Sequence, residues 1–551
     1  MTLAGRPSES GDRPPGLTLE RLKAALSPDW PGPAVAIVLA LCPLAYCLLR
    51  GTMGASLWLD EILYFHHERF PAGRAVEMGR PGSFWPLLIG PYGYADLQRA
   101  VHALFDLVGF HLSANPELYL RLPSLIYFSA SVVALYFLSR RTGADKLWAA
   151  GVALAFGSTP IFLFYAFEAR VFSLAALLVI AFLAVLWRVL EGERGRALVV
   201  GTFLGLIVAW AHLWDVCLLL AIGACLPVIV WRDAEHWRRG ARVALLIGPG
   251  LAFVWIQKMY VFSLGVPGQH GIPLFDPQPL GSVFFSTVYG PFLGLLREYP
   301  EYVLGALLAI ALFRGRGKLG WCIPASAGIA LALSVVLMSR YGWGVSPRHQ
   351  MPLYAAIFAS LALTRAGIVP RALLAILIGL NLVLLPATVG RIQDKGNAKP
   401  IAQVIQSADS LRLIPVVVQH SYTLGYPDPL HSLALAFYLN DVDPRRPPTP
   451  ILELPTHRDV RDVRLDREYF MNGTEKVQIY AASPVRQWIA FLKKLPEGAI
   501  WLVEPVGPGN LVQQRKYESA LKAAGFTRVR GIPGEFGGYP TTKLALWKRV
   551  G

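Results

Sequence analysis

Residues 168–189 read EARVFSLAALLVIAFLAVLWRV. Between Val171 and Trp187 no side chain carries a charge. A helix over that run is about 26 Å long at 1.5 Å per residue, close to the roughly 30 Å of hydrocarbon in a bilayer. The stretch therefore predicts a membrane helix with Glu168 and Arg170 at its head and Arg188 near its tail. Outward from it, apolar runs of about 15 to 21 residues recur. Eleven stand near 33–50, 118–138, 147–165, 171–189, 197–212, 214–231, 243–262, 300–313, 320–338, 350–366 and 371–388.

Composition agrees. The 551 residues are 54% hydrophobic and 16% charged, with a mean hydropathy of +0.44, against about 25% charged in an average soluble protein. A purely soluble chain is excluded, and so are disordered and fibrous classes, since 15 Trp, 21 Tyr and 27 Phe are too much apolar surface for a solvated chain. The five cysteines, Cys42, Cys47, Cys217, Cys225 and Cys322, all lie in apolar runs, which argues against a disulfide framework or a metal knuckle. The net charge of +16 falls in short clusters between apolar runs and not on one basic face, a pattern of membrane topology and not of nucleic-acid binding.

Orientation follows from those clusters, because Lys and Arg beside spans stay on the cytoplasmic side. Arg140, Arg141 and Lys146 follow the second stretch; Arg188, Arg194 and Arg196 the fourth; Arg232, Arg238, Arg239 and Arg242 the sixth; Arg314, Arg316 and Lys318 the eighth. Arg365 and Arg371 flank the turn after the tenth. The polar tail 1–32 falls on the same side and the C-terminal region outside. The reading is a polytopic α-helical membrane protein of about eleven transmembrane helices over 33–388, with outer segments 51–117 and 263–299. A C-terminal extracytoplasmic α/β domain, 389–551, completes it. In that last region strand-like runs at 413–419, 499–504 and 543–550 alternate with helix-like runs at 485–495 and 514–525. Helical pieces around 57–69 and 97–110 are expected along the membrane surface.

Ionisable residues that the interface does not need mark a working site. LWLDEILYF (57–65) carries Asp60 and Glu61 side by side, about 100° apart on a helix. Asp60, Tyr64 and His67 share one face. An amphipathic surface helix with its acids in water fits the same residues. Glu168 and Arg170 stand at the head of the fourth stretch, after a break containing Pro160. An Arg fork there can hold a phosphate, or the two can simply pair. WAHLWDV (210–216) places His212 and Asp215 in an outward turn, as metal site, phosphate contact or general acid; Trp210 and Trp214 fit an interfacial belt. SRYGWGVSPRHQMPLYAAI (339–357) brings Arg340, Arg348 and His349 to the outer surface, beneath any external substrate, or against lipid headgroups. All four constellations fall on the outer side of the topology derived from cytoplasmic charge.

LWLDEILYF after the first stretch, EARVFSL (168–174) opening the fourth and SPRHQMPLYAAI (346–357) opening the tenth together resemble the C-type (GT-C) membrane glycosyltransferases, the superfamily of protein O-mannosyltransferases and bacterial aminoarabinose transferases. The resemblance covers about residues 33 to 390. It implies transfer of a sugar from a polyprenyl-phosphate-linked donor to an envelope lipid, glycan or protein acceptor outside the bacterial inner membrane, with inversion at the anomeric carbon. By that analogy Asp60 is the base, with Glu61 a supporting acid or metal ligand. Arg170 and Arg348 are donor-phosphate clamps, Arg340 and His212 further phosphate contacts, and Glu168 and Tyr64 supporting groups. A divalent metal on Glu61 and His212 stays open, and no other cofactor is implied. Two departures stand out: Phe172 where Tyr is frequent, and an outer domain unlike the β-trefoil insert of eukaryotic mannosyltransferases. A lipid-linked saccharide transporter and a non-catalytic glycan-binding relative are the competing readings.

Overall fold

The structure, a computed structural model, describes residues 32–56, 95–112, 115–230, 234–263, 300–316, 319–340, 347–393, 398–409, 414–419, 421–423, 426–428, 435, 437–442, 449, 451–454, 493, 498–505, 511–531 and 542–550. Each of the eleven apolar stretches falls on helix: α1 (Pro33–Leu49), α3 (Pro116–Arg141), α4 (Lys146–Ser158) with α5 (Pro160–Ala166), α6 (Phe172–Leu190), α7 (Arg196–Ala211), α8 (Val216–Val230), α9 (Ala234–Ser263), α10 (Pro300–Arg314), α11 (Cys322–Arg340), α12 (Pro347–Ala362) and α13 (Ile368–Gln393). A surface helix, α2 (Ala95–Leu107), precedes α3. The piece expected at 57–69 lies outside the described residues.

The chain is a predominantly helical, polytopic membrane protein. By length and composition α3, α6, α13 and the 237–256 part of α9 are long and apolar enough to cross a membrane, and α4 with α5 makes a fifth if the bent pair is one span. The other apolar helices are shorter. The third stretch departs from expectation. Pro160 was expected between the third and fourth stretches; instead it bends the third by 62°. Its ring forbids the bond that would continue the helix and pushes Thr159 into extended geometry, φ −64° and ψ 123°. Asn381 of α13, fully buried, closes the break by donating to the Ala155 carbonyl (3.3 Å), Ser158 Oγ (3.3 Å) and Thr159 Oγ1 (3.1 Å).

Helix ends follow local chemistry. Asn115 caps α3 by accepting from the Leu118 amide at 3.0 Å, with Pro116 next and Glu117 in the first turn. Asp145 caps α4 by accepting from the Trp148 amide at 2.9 Å. Between helices, lipid provides little hydrophobic drive, so packing relies on close approach of small residues and on aromatic filling. Phe128, Phe156, Phe162 and Phe358 interlock where α3, α4, α5 and α12 meet, at ring separations of 4.1 to 5.7 Å. At the α7–α9 crossing a Cβ on Gly205 would stand 2.1 Å from the Leu246 carbonyl oxygen.

Three of the basic turns, those after α3, α10 and α12, meet at one end of the helices. Arg371 pairs with Asp145 at 2.7 Å, Arg316 donates from its side chain to the Thr142 carbonyl and from its amide to Leu363 (2.9 Å), and Arg365 bonds back to Arg314 (3.1 Å). Thr142 Oγ1 reaches the Ala362 carbonyl at 3.1 Å, which fixes the C-terminal end of α12 at this end.

After α13 comes α14 (Ala398–Ala408), then strands β1 (Val416–Gln419), β2 (Ser421–Thr423), β3 (Tyr426–Asp428), β4 (Ile451–Leu454) and β5 (Ala499–Pro505), helix α15 (Leu511–Ala523), and strands β6 (Phe526–Gly531) and β7 (Thr542–Arg549). β2 and β3 pair with each other; the rest form a sheet in the order β4-β1-β5-β7-β6. β1 runs parallel to β4 and β5, and β7 is antiparallel to β5 and β6. The strand-like runs at 413–419, 499–504 and 543–550 are therefore strands, and the helix-like run at 514–525 overlaps α15; the run at 485–495 lies outside the described residues apart from Lys493. Val416, Val418, Trp501, Val503 and Leu544 of the sheet share a core with Ile401 and Ile405 of α14. Tyr119 and Leu120 of α3 and Ala169 complete that core. The sheet is thus seated on the helices at the start of α3 and at the turn before α6.

Gly205→Ala is expected to lower the thermal unfolding midpoint in detergent, by the upper part of the about 1 to 3 kcal/mol that overpacking costs, because a backbone carbonyl must move. Gly379→Ala on α13, where a Cβ meets nothing within 4 Å, serves as the control and should leave the midpoint unchanged.

Candidate active site

Two of the sequence-derived constellations come together. The turn between α5 and α6 carries Glu168 and Arg170, and the turn between α7 and α8 carries His212 and Asp215. Glu168 is fully buried, and Arg170 Nη1 stands 4.0 Å from its Oε1 with about a fifth of the arginine exposed. The Arg170 guanidinium carbon lies 5.0 Å from the centre of the Phe172 ring, an attractive cation–π placement. Phe172 in turn meets the His212 imidazole edge-on, with centroids 5.6 Å apart. His212 Nδ1 is 3.3 Å from Asp215 Oδ1. A continuous row therefore runs from Glu168 through Arg170, Phe172 and His212 to Asp215.

Phe172 has a structural use here. Its ring separates two groups that are cationic when His212 is protonated and touches both. Asp215 is fully buried in the turn outside the two helices, and burial pushes its carboxyl above the ordinary carboxylate range, with His212 opposing that shift. Trp214, expected in an interfacial belt, is instead 6% exposed and packed into the helix core.

The frame of the row is backbone bonding. Ser124 Oγ of α3 donates to the Arg170 carbonyl at 3.2 Å, and Ser173 Oγ donates to the Tyr165 carbonyl at 3.2 Å. One turn before Ser124 stands Arg121, fully buried, whose guanidinium donates to the carbonyls of Ala55 (2.9 Å), Ser56 (3.2 Å) and Thr52 (3.5 Å). Ser56 is four residues before Asp60. Asp60, Glu61 and Tyr64 lie outside the described residues. Among the described residues, α3 thus holds both the Arg170 turn and the chain that leads into the acidic pair.

Arg340 is the last residue of α11, and Arg348 is the second residue of α12. The far end of α12 is held at the basic turns, with the Leu361 carbonyl accepting from Trp148 Nε1 at 3.2 Å. A helix of this length puts its first residues about 22 Å away, at the end that holds the Arg170 row, and α12 packs against the His212–Asp215 turn. No group of three or more His, Cys, Asp and Glu suited to a metal occurs among the described residues; His212 has Asp215 beside it as a second donor.

Sequence reasoning missed Arg121, Glu117 and Lys399. Arg121 was within reach of the same rule that singled out Arg170, a lone charge a few residues into an apolar helix. Glu117 is 2% exposed and pairs with Lys399 of α14 at 2.8 Å, a contact between distant parts of the chain that no local pattern announces.

No family model matches the chain, and no curated protein matches it. Among solved structures the chain is similar to ArnT from Cupriavidus metallidurans bound to undecaprenyl phosphate, at 15% identity and a TM-score of 0.49, covering 93% of this chain and 96% of that one. It is similar to the same protein in the apo state at 16% identity and a TM-score of 0.48, with the same coverage.

Proposed function

We propose that the chain is an integral-membrane glycosyltransferase that moves a sugar from a polyprenyl-phosphate-linked donor to an envelope lipid, glycan or protein acceptor. It acts on the outer face of a bacterial inner membrane, with the N-terminus cytoplasmic, eleven crossings and the sheet domain outside. The observation that carries this reading is the sorting of charge. Three of the basic turns, those after α3, α10 and α12, gather at one end of the helices, while Arg170, the His212–Asp215 pair, the Arg121-held segment and the start of α12 gather at the other.

The chemistry suits those groups. An acceptor hydroxyl attacks the anomeric carbon, the carbon–oxygen bond to the lipid phosphate breaks, and the phosphate leaves with the electron pair. Direct attack inverts the anomeric centre. Asp60 takes the acceptor proton as general base, with Glu61 and Tyr64 supporting it. Arg170 and Arg348 offset the charge that grows on the departing phosphate, with Arg340 and His212 as further contacts. Glu168 keeps the Arg170 fork in place from beneath.

A lipid-linked saccharide transporter would place its polar groups at mid-membrane around broken helices. The break between α4 and α5 is of that kind. The Asn381 bonds that close it carry no charge, and the charged groups stand at the helix ends, which favours the transferase. Mass-spectrometric comparison of envelope lipids and glycans from cells with and without the protein tests the reading. One missing hexose, pentose or uronic acid is expected; identical envelopes would reject it.

Asp60→Asn keeps shape and removes the base. It should lower transfer by about 10²- to 10⁴-fold with normal membrane insertion, and undiminished transfer would exclude Asp60 from the role. Arg348→Ala should weaken binding of undecaprenyl phosphate roughly tenfold to a hundredfold, the worth of one hydrogen bond to a charged group, with an unchanged unfolding midpoint. Unaltered affinity would remove Arg348 from the phosphate site.

A further inference from the structure

Lys399 belongs to α14, the first helix of the sheet domain, yet its described contacts are with the membrane part. Its ammonium is 2.8 Å from Glu117 Oε1 at the start of α3 and donates to the Gly54 carbonyl at 3.1 Å. Its amide donates to Ser56 Oγ at 3.2 Å. The Tyr438 hydroxyl donates to the same Glu117 oxygen at 3.1 Å, and Gln393 at the end of α13 donates to the Arg50 carbonyl at 2.7 Å. Arg121 holds the carbonyls of Thr52, Ala55 and Ser56. The segment 50–56 is therefore gripped on one side by α3 and on the other by the entry to the sheet domain.

Burial decides how much the clasp matters. The Glu117 side chain is 3% exposed and the Lys399 side chain 27%, so water does little to screen the pair, and removing one partner leaves a buried charge. A tie made only to hold a domain on a surface would be served by the apolar contact of Tyr119, Leu120 and Ala169 with the sheet core. The ammonium does something else: it reaches past Glu117 to a backbone carbonyl of the segment that leads, within six residues, to Asp60.

We infer that Lys399 is a positioning residue through which the outer domain aims the acidic pair, so that sugar transfer depends on how this domain is seated. The inference rests on the reading of Asp60 as base. It assigns to the sheet domain a part in the reaction itself, through the Gly54–Ser56 backbone, beyond any acceptor it binds.

Lys399→Met on the full chain should lower stability, because Glu117 is left unpaired, and should reduce transfer roughly tenfold to a hundredfold, the range that about 1 Å of misplacement produces. Adding Glu117→Gln removes the stranded charge while keeping an acceptor for Tyr438. The double variant is expected to regain the wild-type unfolding midpoint but not the transfer rate. Backbone hydrogen exchange over 50–61 should stay faster than in the wild type, with α3 unchanged and undecaprenyl phosphate bound as before. Transfer is read as the mass change of the envelope in cells carrying each variant. Recovery of transfer together with stability would reduce Lys399 to a structural ion pair and overturn the inference. Wild-type exchange over 50–61 in the double variant would overturn it too, as would full transfer in Lys399→Met alone. Asp60→Asn, run alongside, separates the two failures: normal transfer by that variant rejects Asp60 as base and the inference with it, whereas full transfer in Lys399→Met beside a silent Asp60→Asn overturns the inference alone.

Discussion

A bare charge in hydrocarbon is costly by several kcal/mol even after snorkelling and local thinning of the bilayer, and this single constraint sorts the whole chain. Long runs such as Val171–Trp187 carry no ions, and those that remain collect at the helix ends. At one end Asp145, Arg314, Arg316, Arg365 and Arg371 knit three turns together. At the other the pattern is different in kind: Arg121, Glu168 and Asp215 are fully buried, each set among carbonyls, rings or opposite charges. Burial of ions without exposure to water is a poor way to gain stability. It is a good way to hold polar groups in fixed geometry where a reaction needs them.

The Arg170 row illustrates how packing serves electrostatics. Phe172 is an ordinary apolar start for α6, yet its ring face takes the guanidinium and its neighbour is the His212 imidazole. The stiff aromatic sets the spacing between two nitrogen groups that would otherwise repel when both are charged. Behind the row, Ser124 and Arg121 lie one turn apart on α3 and hold two different segments by their backbones. One helix thereby fixes the relation between the Arg170 turn and the chain entering LWLDEILYF. The core shared by Tyr119, Leu120, Ala169 and the sheet extends that frame into the C-terminal domain.

The helix order was legible because apolar length and the absence of charge are local properties, and each of the eleven stretches coincides with helix. So were the strands at Val416–Gln419, Ala499–Pro505 and Thr542–Arg549, whose β-branched and aromatic residues are confined to short runs. The bend at Pro160 was half legible: a proline inside an apolar run signals a break, but which side of it belongs to the span depends on Asn381, more than two hundred residues later. The juxtaposition of Glu168, Arg170, His212 and Asp215 was readable only as a shared side of the membrane. Their contact depends on how α6 and α7 pack, which periodicity does not encode. Lys399 was illegible, since its meaning lies wholly in Glu117 and Gly54, groups from another part of the chain.

The proposed transfer requires an acid from 57–61 to reach a lipid phosphate held at Arg170. A structure of the chain in a lipid nanodisc with undecaprenyl phosphate bound measures this directly. The account predicts the phosphate in contact with the Arg170 guanidinium and the Asp60 carboxylate across the same cavity, within about 3 Å of the acceptor oxygen's position. A phosphate bound elsewhere, or Asp60 turned away from Arg170 with no cavity between them, would contradict it.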